Sequence, residues 1–374
     1  MEIIKIDTSN PKLVKTFINL PARIYKDIPQ WVPPLSSDIS SIFNRKRNPF
    51  YLHSDASFFL AINDFSQIVG RIAIINNRKY NEFNHERTAF FYLFECIDDK
   101  NISQALFQAG FDWALQQGLN KILGPKGFSV FDGLGTLIKG YEHRPAFGLP
   151  YNPPYYPGLI QAAGFSTESD IVSGYLDKSF HMPEKIIQTA ELVKKRRGLS
   201  IKRFKNRKEL RDFLPNLKEL YNGTLNETDG NIPLSDEEVS HLANQMLWFA
   251  DPKLIKIVMK GNQPVGFLFA YPDISAALQH TKGRLLPFGW VNLLRELHNT
   301  EWININGAGI IHGYRGLGGT SLLFTEMYDS FRNGKYLYAD LVQIGVDNDR
   351  MQRELRDLGI NFYKTHRIYS RMLS

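Results

Sequence analysis

The stretch that decides the fold is Trp302-Ile303-Asn304-Ile305-Asn306-Gly307-Ala308-Gly309-Ile310-Ile311-His312-Gly313-Tyr314-Arg315-Gly316-Leu317-Gly318-Gly319-Thr320. Its first half is rich in small and β-branched residues and reads as a strand over 302–311. The strand runs directly into a glycine-rich turn. Beyond the turn, Phe324, Met327, Tyr328 and Phe331 fall at i, i+3, i+4 and i+7, the spacing of one face of a helix, and Gly334 is placed to stop it.

A strand that turns through glycines into a helix N-terminus presents a cradle of backbone N–H groups, and the helix dipole favours phosphate there. Three ligand classes use such a turn. A P-loop requires G-x-x-x-x-G-K-[ST], and no lysine follows these glycines. A dinucleotide fingerprint requires G-x-G-x-x-G; Gly316 and Gly318 begin one, but Ser321 stands at the third glycine. Asp340 lies about 20 positions on, yet inside the next predicted strand and not at its end. Coenzyme A is the third class.

Working outward, a strand over 199–204 and helices over 210–221 and 236–248 are expected, the last opened by Ser235 with Glu238 three residues on, a capping box. Strands over 254–260 and 265–271 flank the turn Gly261-Asn262-Gln263-Pro264. A helix is predicted over 290–297. After the glycine turn come a helix, a strand over 336–346, then Asn348 opening a helix that ends at Leu358-Gly359, and a closing strand over 362–369.

With that order in place, the chain resembles the GCN5-related N-acetyltransferase (GNAT) superfamily. The acyl-CoA loop of that family reads Q/R-x-x-G-x-G/A, and Arg315-Gly316-Leu317-Gly318-Gly319-Thr320 matches at Arg315 and Gly318 and departs at Thr320. The resemblance implies an α/β fold with a mixed sheet, acetyl-CoA or another acyl-CoA as co-substrate, no metal, and an amine acceptor, small molecule or peptide. It assigns cofactor binding to Ile310, Ile311, His312, Tyr314, Arg315, Gly316, Leu317, Gly318, Gly319 and Thr320, with Asn348 on the pantetheine arm. Many family members place an acidic tyrosine four residues before the helix-ending glycine. Here that position is Leu355, so His312 and Tyr363 become the candidates for base and acid. The run Lys364-Thr365-His366-Arg367-Ile368-Tyr369 is also similar to the end of tandem bacterial acetyltransferase-like proteins.

The first 180 residues repeat the order of elements. Strands are expected over 3–6, 57–62, 69–75, 88–97, 121–123 and 171–176, and helices over 11–25, from Ile102 onward and over 157–163. Where the second half has its glycines, the first has Asp98-Asp99-Lys100-Asn101, whose carboxylates would repel a pyrophosphate. The reading is therefore two tandem GNAT-like folds: a degenerate domain over 1–180, a linker helix over 181–198 and a CoA-binding domain over 199–374. The basic run Lys194-Lys195-Arg196-Arg197 is read as the end of that helix, where cations complement the dipole. Three aromatic, proline-rich stretches (Trp31-Val32-Pro33-Pro34, residues 48–53 and residues 144–157) are expected to pack one half on the other or to line a pocket.

A chain of 374 residues that is 43% hydrophobic buries an ordinary core at roughly two domains' length. Lysine and arginine number 45 against 38 aspartate and glutamate, an excess of 7, too dilute over this length to indicate nucleic acid. The one cysteine, Cys96, sits in an apolar run and reads as inert core in a reducing compartment. No stretch reaches about 18 uninterrupted apolar residues, so a cytoplasmic protein with no membrane partner is expected. The functional expectation is acyl-CoA-dependent N-acyl transfer. A non-catalytic acyl-CoA-binding protein and a tRNA-dependent aminoacyl or peptidyl transferase stand as alternatives.

Overall fold

The computed structural model describes residues 1–225 and 232–374, and its strands form one mixed sheet. In chain order these are β1 (Glu2–Lys5), β2 (Asp55–Ile62), β3 (Ile68–Asn76), β4 (Thr88–Cys96), β5 (Lys121–Gly124), β6 (Thr136–Lys139), β7 (Ser166–Asp177), β8 (Leu199–Lys202), β9 (Ile255–Lys260), β10 (Gln263–Pro272), β11 (Trp302–Ile310), β12 (Tyr338–Gly345) and β13 (Asn361–Met372). Across the sheet they run β1-β2-β3-β4-β5-β13-β7-β12-β11-β10-β9-β8, with β6 paired to β13 off this path. The order is palindromic, β1 to β5 being mirrored by β12 back to β8.

The closing strands are exchanged at the centre. β7, which ends the first half, pairs antiparallel with β12 of the second, while β13 pairs antiparallel with β5 of the first. The two then pair with each other from Asn361 opposite Tyr175 to Ser370 opposite Ser166. The ranges 1–180 and 199–374 thus each complete the other's sheet. The run 364–369 fastens this seam. Lys364 Nζ lies 2.9 Å from Asp340 Oδ2, Arg367 holds Asp170 through two hydrogen bonds of 2.7 and 2.8 Å, and His366 Nε2 lies 3.1 Å from the Pro150 carbonyl. Burial pushes His366 down to about 4, which leaves the imidazole neutral.

Strands of this sheet are covered on both faces, which is why their sequences read as continuous apolar runs. In the first half Phe59, Ala61, Ile72, Ile74 and Phe91 pack under helix Lys100–Gln116 through Leu106, Phe107 and Phe111, while Phe58, Leu60, Ala73 and Phe90 face Phe17, Ile39 and Phe50 on the other side. The second half repeats this with helix Gly319–Asn333, whose Leu322, Leu323, Met327 and Phe331 cover Val258, Leu268 and Ile303. Of the predicted stripe, Phe324 also reaches Met182, Leu355 and Leu358, and Tyr328 packs on that side.

Two predicted helices are divided. The stretch 11–25 forms Pro11–Asn19 and Pro21–Ile24, and 210–221 becomes Arg207–Asp212 and Leu214–Leu225. Pro21 and Pro215 each lack the N–H that would continue the ladder. Helix Glu184–Arg197 forms as expected and ends at Gly198 in the left-handed region (φ 58°). Lys194 of its basic run pairs with Glu326 at 3.3 Å. Between β10 and β11 the chain makes a helical hairpin, Ser275–Thr281 and Gly289–Asn299, of which only the second helix was legible in advance.

Candidate functional site

In the second half, β11 and β12 pair in parallel from Trp302 opposite Tyr338 to Ile305 opposite Leu341, and then separate. At the point of separation β11 carries a bulge. Ile305 faces Ala270 and Ala308 faces Leu268, so Asn306 and Gly307 together oppose Phe269. Gly307 takes φ 86°, a conformation that costs glycine nothing. Asn306 Nδ2 donates to Tyr271 Oη at 3.2 Å. Beyond the bulge Ala308, Gly309 and Ile310 line a cavity of about 1360 Å³, whose opposite wall includes Gln343, Gly345 and Asn348 from β12 and the turn after it.

The glycine turn follows directly. A short 3₁₀ turn, His312–Tyr314, leads to Gly316 (φ 76°) and Gly318 (φ 85°), and helix Gly319–Asn333 begins with no side-chain cap. Among the described residues, none of the N–H groups from Gly316 to Ser321 meets an acceptor. Arg315 braces the turn, donating from Nε to the Ile310 carbonyl and from a terminal nitrogen to the Thr224 carbonyl, both at 3.1 Å. Arg315, Thr320 and Leu323 face the cavity.

The glycines serve packing as well as access. A Cβ on Gly318 would lie 2.4 Å from Val193 of helix Glu184–Arg197, and one on Gly319 would lie 3.0 Å from Ile310, whereas Gly316 looks into open space. Gly316, Gly318 and Gly319 themselves lie off the cavity wall.

The other predicted residues divide clearly. Ile310, Arg315, Thr320 and Asn348 are on the cavity wall. Asn348 also caps helix Asp349–Asp357 by accepting from the Met351 N–H at 3.1 Å. Ile311 packs toward Phe267, Leu317 toward the core under helix Gly319–Asn333, and Tyr314 donates to Gln263 Oε1 at 3.0 Å on the exposed side. His312 is exposed and off the cavity wall. Tyr363 is also off it. Its hydroxyl donates to Asp340 Oδ2 at 2.6 Å, and burial with the Asp340 charge holds its proton on far above the usual phenol range. Leu355 is 2% exposed, packed with Leu341, Leu358 and Ile360.

The first half has the same frame and a different filling. β4 and β5 pair from Thr88 opposite Lys121 to Phe90 opposite Leu123 and then separate, and β4 bulges at Leu93 and Phe94, with Leu93 at φ 50°. Here the chain after β5 folds back across the gap, so that the Lys126 N–H donates to the Phe91 carbonyl at 3.0 Å. Helix Lys100–Gln116 is capped by its own chain: Asp99 Oδ1 accepts from the Asn101 and Ile102 N–H groups at 2.8 and 3.3 Å. Cys96 is buried, and desolvation pushes its thiol well up.

Residues 125–135, unread in the sequence, join the two frames. Phe128 packs on Phe50 and Phe58 of the first half (ring centroids 4.9 and 6.2 Å), and Phe131 lies 6.1 Å from Tyr221 of the second. Leu134 is held by Gln343 of β12: its N–H donates to Oε1 at 2.9 Å and its carbonyl accepts from Nε2 at 2.6 Å. Two residues earlier, Asp132 lies on the cavity wall, where Oδ2 accepts from the Ser129 N–H at 2.9 Å. Burial pushes its carboxyl up to about 6, against the lowering effect of backbone hydrogen bonds from Ser129 and Phe128. The signal for this loop was in the sequence: Gly124, Gly127, Gly133 and Gly135 fall within twelve residues. Gly127 is required because a Cβ there would sit 2.2 Å from Asp132 Oδ2.

A second polar group lies at the first half's bulge. Glu95 Oε2 accepts from the hydroxyls of Tyr25 and Tyr156, each at 2.7 Å, while Oε1 lies 3.5 Å from a terminal nitrogen of Arg71. Burial outweighs this pairing, raising Glu95 and lowering Arg71. The proline-rich stretches take both expected roles. Trp31, Phe50, Phe147 and Tyr151 line the cavity, while the Phe147 N–H donates to Asp273 at 3.0 Å and Gln279 donates to the Pro29 and Trp31 carbonyls across the halves. The predicted capping box is present, and Glu238 in it also reaches His53 and Lys79 of the first half.

No family model matches the chain. It is 26% identical over 371 residues to Protein YghO of Escherichia coli (strain K12), covering 97% of this chain and 94% of that protein. It is 26% identical over 378 residues to the bacterial ceramide synthase of Caulobacter vibrioides (strain NA1000 / CB15N), covering 98% and 97%. Among solved structures, a tandem GNAT protein from the clavulanic acid biosynthesis pathway superposes with a TM-score of 0.57 at 12% identity, covering 100% of this chain and 98% of that one.

Proposed function

We propose, from the tandem GNAT fold, that this protein transfers an acyl group from acyl-CoA to an amine. The observation that carries the reading is the separation of β11 from β12 beside a turn of unpaired N–H groups, Gly316 to Ser321, at an uncapped helix start. Those N–H groups and the helix dipole suit the pyrophosphate. The free edge of β11 beyond its bulge suits the pantetheine arm, which would add to the sheet as an extended strand does. A backbone N–H at the bulge would then face the thioester oxygen.

In the reaction the amine nitrogen attacks the thioester carbonyl carbon. A C–N bond forms, the C–S bond breaks, and the CoA thiolate takes a proton from water. The amine must be neutral to attack, so a base must accept its proton. We assign that base to Asp132, which lies on the cavity wall, is tied to the separation of β12 through Leu134 and Gln343, and is ionised above pH about 6.

The likeness to a bacterial ceramide synthase over nearly the whole chain supports a longer acyl chain than acetyl and an amine-bearing lipid as acceptor. The apolar side chains of Trp31, Leu35, Phe50, Phe128 and Ile232 on the cavity wall agree with it, and the volume of about 1360 Å³ exceeds the roughly 300–1000 Å³ of ordinary ligand pockets. A second reading, acyl-CoA binding without chemistry, is favoured by Leu355 in the core where a catalytic tyrosine is usual. One experiment separates them. Palmitoyl-CoA is titrated by calorimetry and then incubated with sphinganine while free thiol and amide are measured. Binding with amide formation supports transfer, binding with neither product leaves the second reading, and no binding at millimolar concentration rejects both.

A further inference from the structure

Exposed apolar side chains are scattered singly over most of this molecule, as on any globular surface. The helical hairpin between β10 and β11 is different. Leu286 is 81% exposed, Phe288 75%, Trp290 49%, Val291 46% and Leu294 55%, so nine consecutive positions hold five of the fifteen large exposed hydrophobics among the described residues. A patch of that density marks an interaction surface.

The second helix, Gly289–Asn299, is apolar over an unusually wide arc. Leu293 (3% exposed) and Leu297 point inward, packing with Ile274, Leu278 and Leu35. Trp290, Val291 and Leu294 continue the same arc outward with the exposed His298 between the last two, while Asn292, Arg295 and Asn299 occupy the remaining side. The inner half of the arc is spent on the fold, and the outer half is left bare beside Leu286 and Phe288 on the preceding turn. The indole N–H of Trp290 donates to the Pro287 carbonyl at 3.1 Å, so the ring enters an apolar phase with its one donor already satisfied.

Charge decides what covers this surface. From 281 to 299 the exposed lysines and arginines are Lys282, Arg284 and Arg295, and the one acid is the half-buried Glu296. An apolar ridge of Trp, Phe and Leu rimmed by cations is the composition of a segment that lies in the headgroup region of an anionic bilayer. The anchorage is firm. The Gly283 carbonyl accepts from the Ser36 N–H at 2.9 Å, and a Cβ on Gly283 would lie 2.2 Å from the Pro34 carbonyl, so the hairpin is locked to the stretch 33–36, whose Pro33, Pro34 and Leu35 line the large cavity.

We infer that the hairpin 282–294 docks the protein on the surface of an anionic lipid bilayer, with Leu286, Phe288, Trp290, Val291 and Leu294 entering the headgroup region. Among the described residues no helix is long and apolar enough to cross a membrane, but a helix lying in the interface needs no span. The inference stands apart from the acyl-transfer reading, since its test reads binding alone. It adds to that reading a route, because the elements under the docked face are walls of the cavity.

The full chain is sedimented with vesicles of phosphatidylcholine alone and of phosphatidylcholine with a quarter phosphatidylglycerol. The expected result is binding to the anionic vesicles at least tenfold tighter than to the neutral ones, weakening with added salt. The double variant Phe288→Ser/Trp290→Ser should lose at least tenfold in binding to the anionic vesicles while keeping its melting temperature. The charge reversal Lys282→Glu/Arg284→Glu should lose the preference for phosphatidylglycerol. Failure of the wild-type protein to sediment with anionic vesicles, or unchanged binding by the double variant, would overturn the inference. So would light scattering that shows a wild-type dimer which the double variant dissolves, since the patch would then be an interface between copies of this chain.

Discussion

The two halves of the sheet present the same device twice and complete it differently. Each has an inner strand bulged at the point where it leaves its parallel neighbour, at Leu93–Phe94 in β4 and Asn306–Gly307 in β11, followed by a long helix. In the first half, the Asp99 carboxylate occupies the N-terminus of that helix and Lys126 bridges the gap. In the second, the helix N-terminus is uncapped, and Ala308, Gly309 and Ile310 beyond the bulge line the cavity, whose wall also takes in Leu93, Phe94 and Glu95 of the first half. An anion site and a self-capped helix are alternatives for the same backbone, because both satisfy the same unpaired N–H groups. In the first half Asp99 makes it the self-capped form.

The halves are nevertheless not independent, and the largest expected effect comes from that. Asp132 belongs to the first half and faces the cavity that both halves line. Asp132→Asn should lower kcat by about 100-fold or more with acyl-CoA affinity preserved, since removing a general base typically costs that much. The wild-type rate should fall as pH drops through about 6, where the carboxyl takes up a proton, and the variant should lack that limb. A variant with full turnover would return the second half to self-sufficiency.

A smaller effect concerns the contact between halves at Glu238. Burial alone would raise this carboxyl, but hydrogen bonds from His53 and Lys79 and the Lys79 charge outweigh it and hold it down to about 2, against an ordinary value of 4.5. A depressed pKa gives stability that is complete above about 4.5 and is lost as pH falls toward about 2. Glu238→Gln should therefore remove about 1–3 kcal/mol of the stability that wild type loses across that window, read as a flatter urea-midpoint profile from pH 5 to pH 3. Equal pH slopes for variant and wild type would mean that the contact carries little.

The smallest effect isolates the first half's cap. Asp99→Ala should cost about 1 kcal/mol of unfolding free energy by leaving the Asn101 and Ile102 N–H groups without their acceptor. It should leave acyl-CoA affinity unchanged.

Much of this frame was legible in the chain. The apolar spacing of helix Gly319–Asn333, the capping box at Ser235 and Glu238, and the glycine turn after β11 are local patterns, and each formed as its residues dictate. The exchange of β7 and β13 was not legible, because strand partners far apart in sequence are chosen by packing and not by local pattern. Nor was Asp132. Its loop lacks helical or strand period, and the neighbouring Leu134 is held by Gln343, which lies 211 positions after Asp132. Tyr363 stands four residues past Gly359, yet it faces Asp340 in the seam, because the register of β13 on β7 shifts between Phe362 and Lys364 and so lets Tyr363 and its neighbour Lys364 reach the same carboxylate.

The contrast between a bare and a self-capped helix is tested most directly by calorimetric titration of CoA into wild type, Thr320→Asp and Asp99→Ala. Thr320 lies on the cavity wall in the first turn of helix Gly319–Asn333, so an aspartate there places beside the free N–H groups the carboxylate that the first half already has. That contrast predicts at least tenfold weaker binding by Thr320→Asp, with an unchanged melting temperature, and wild-type affinity for Asp99→Ala. Wild-type affinity in Thr320→Asp, or loss of binding in Asp99→Ala, would contradict it.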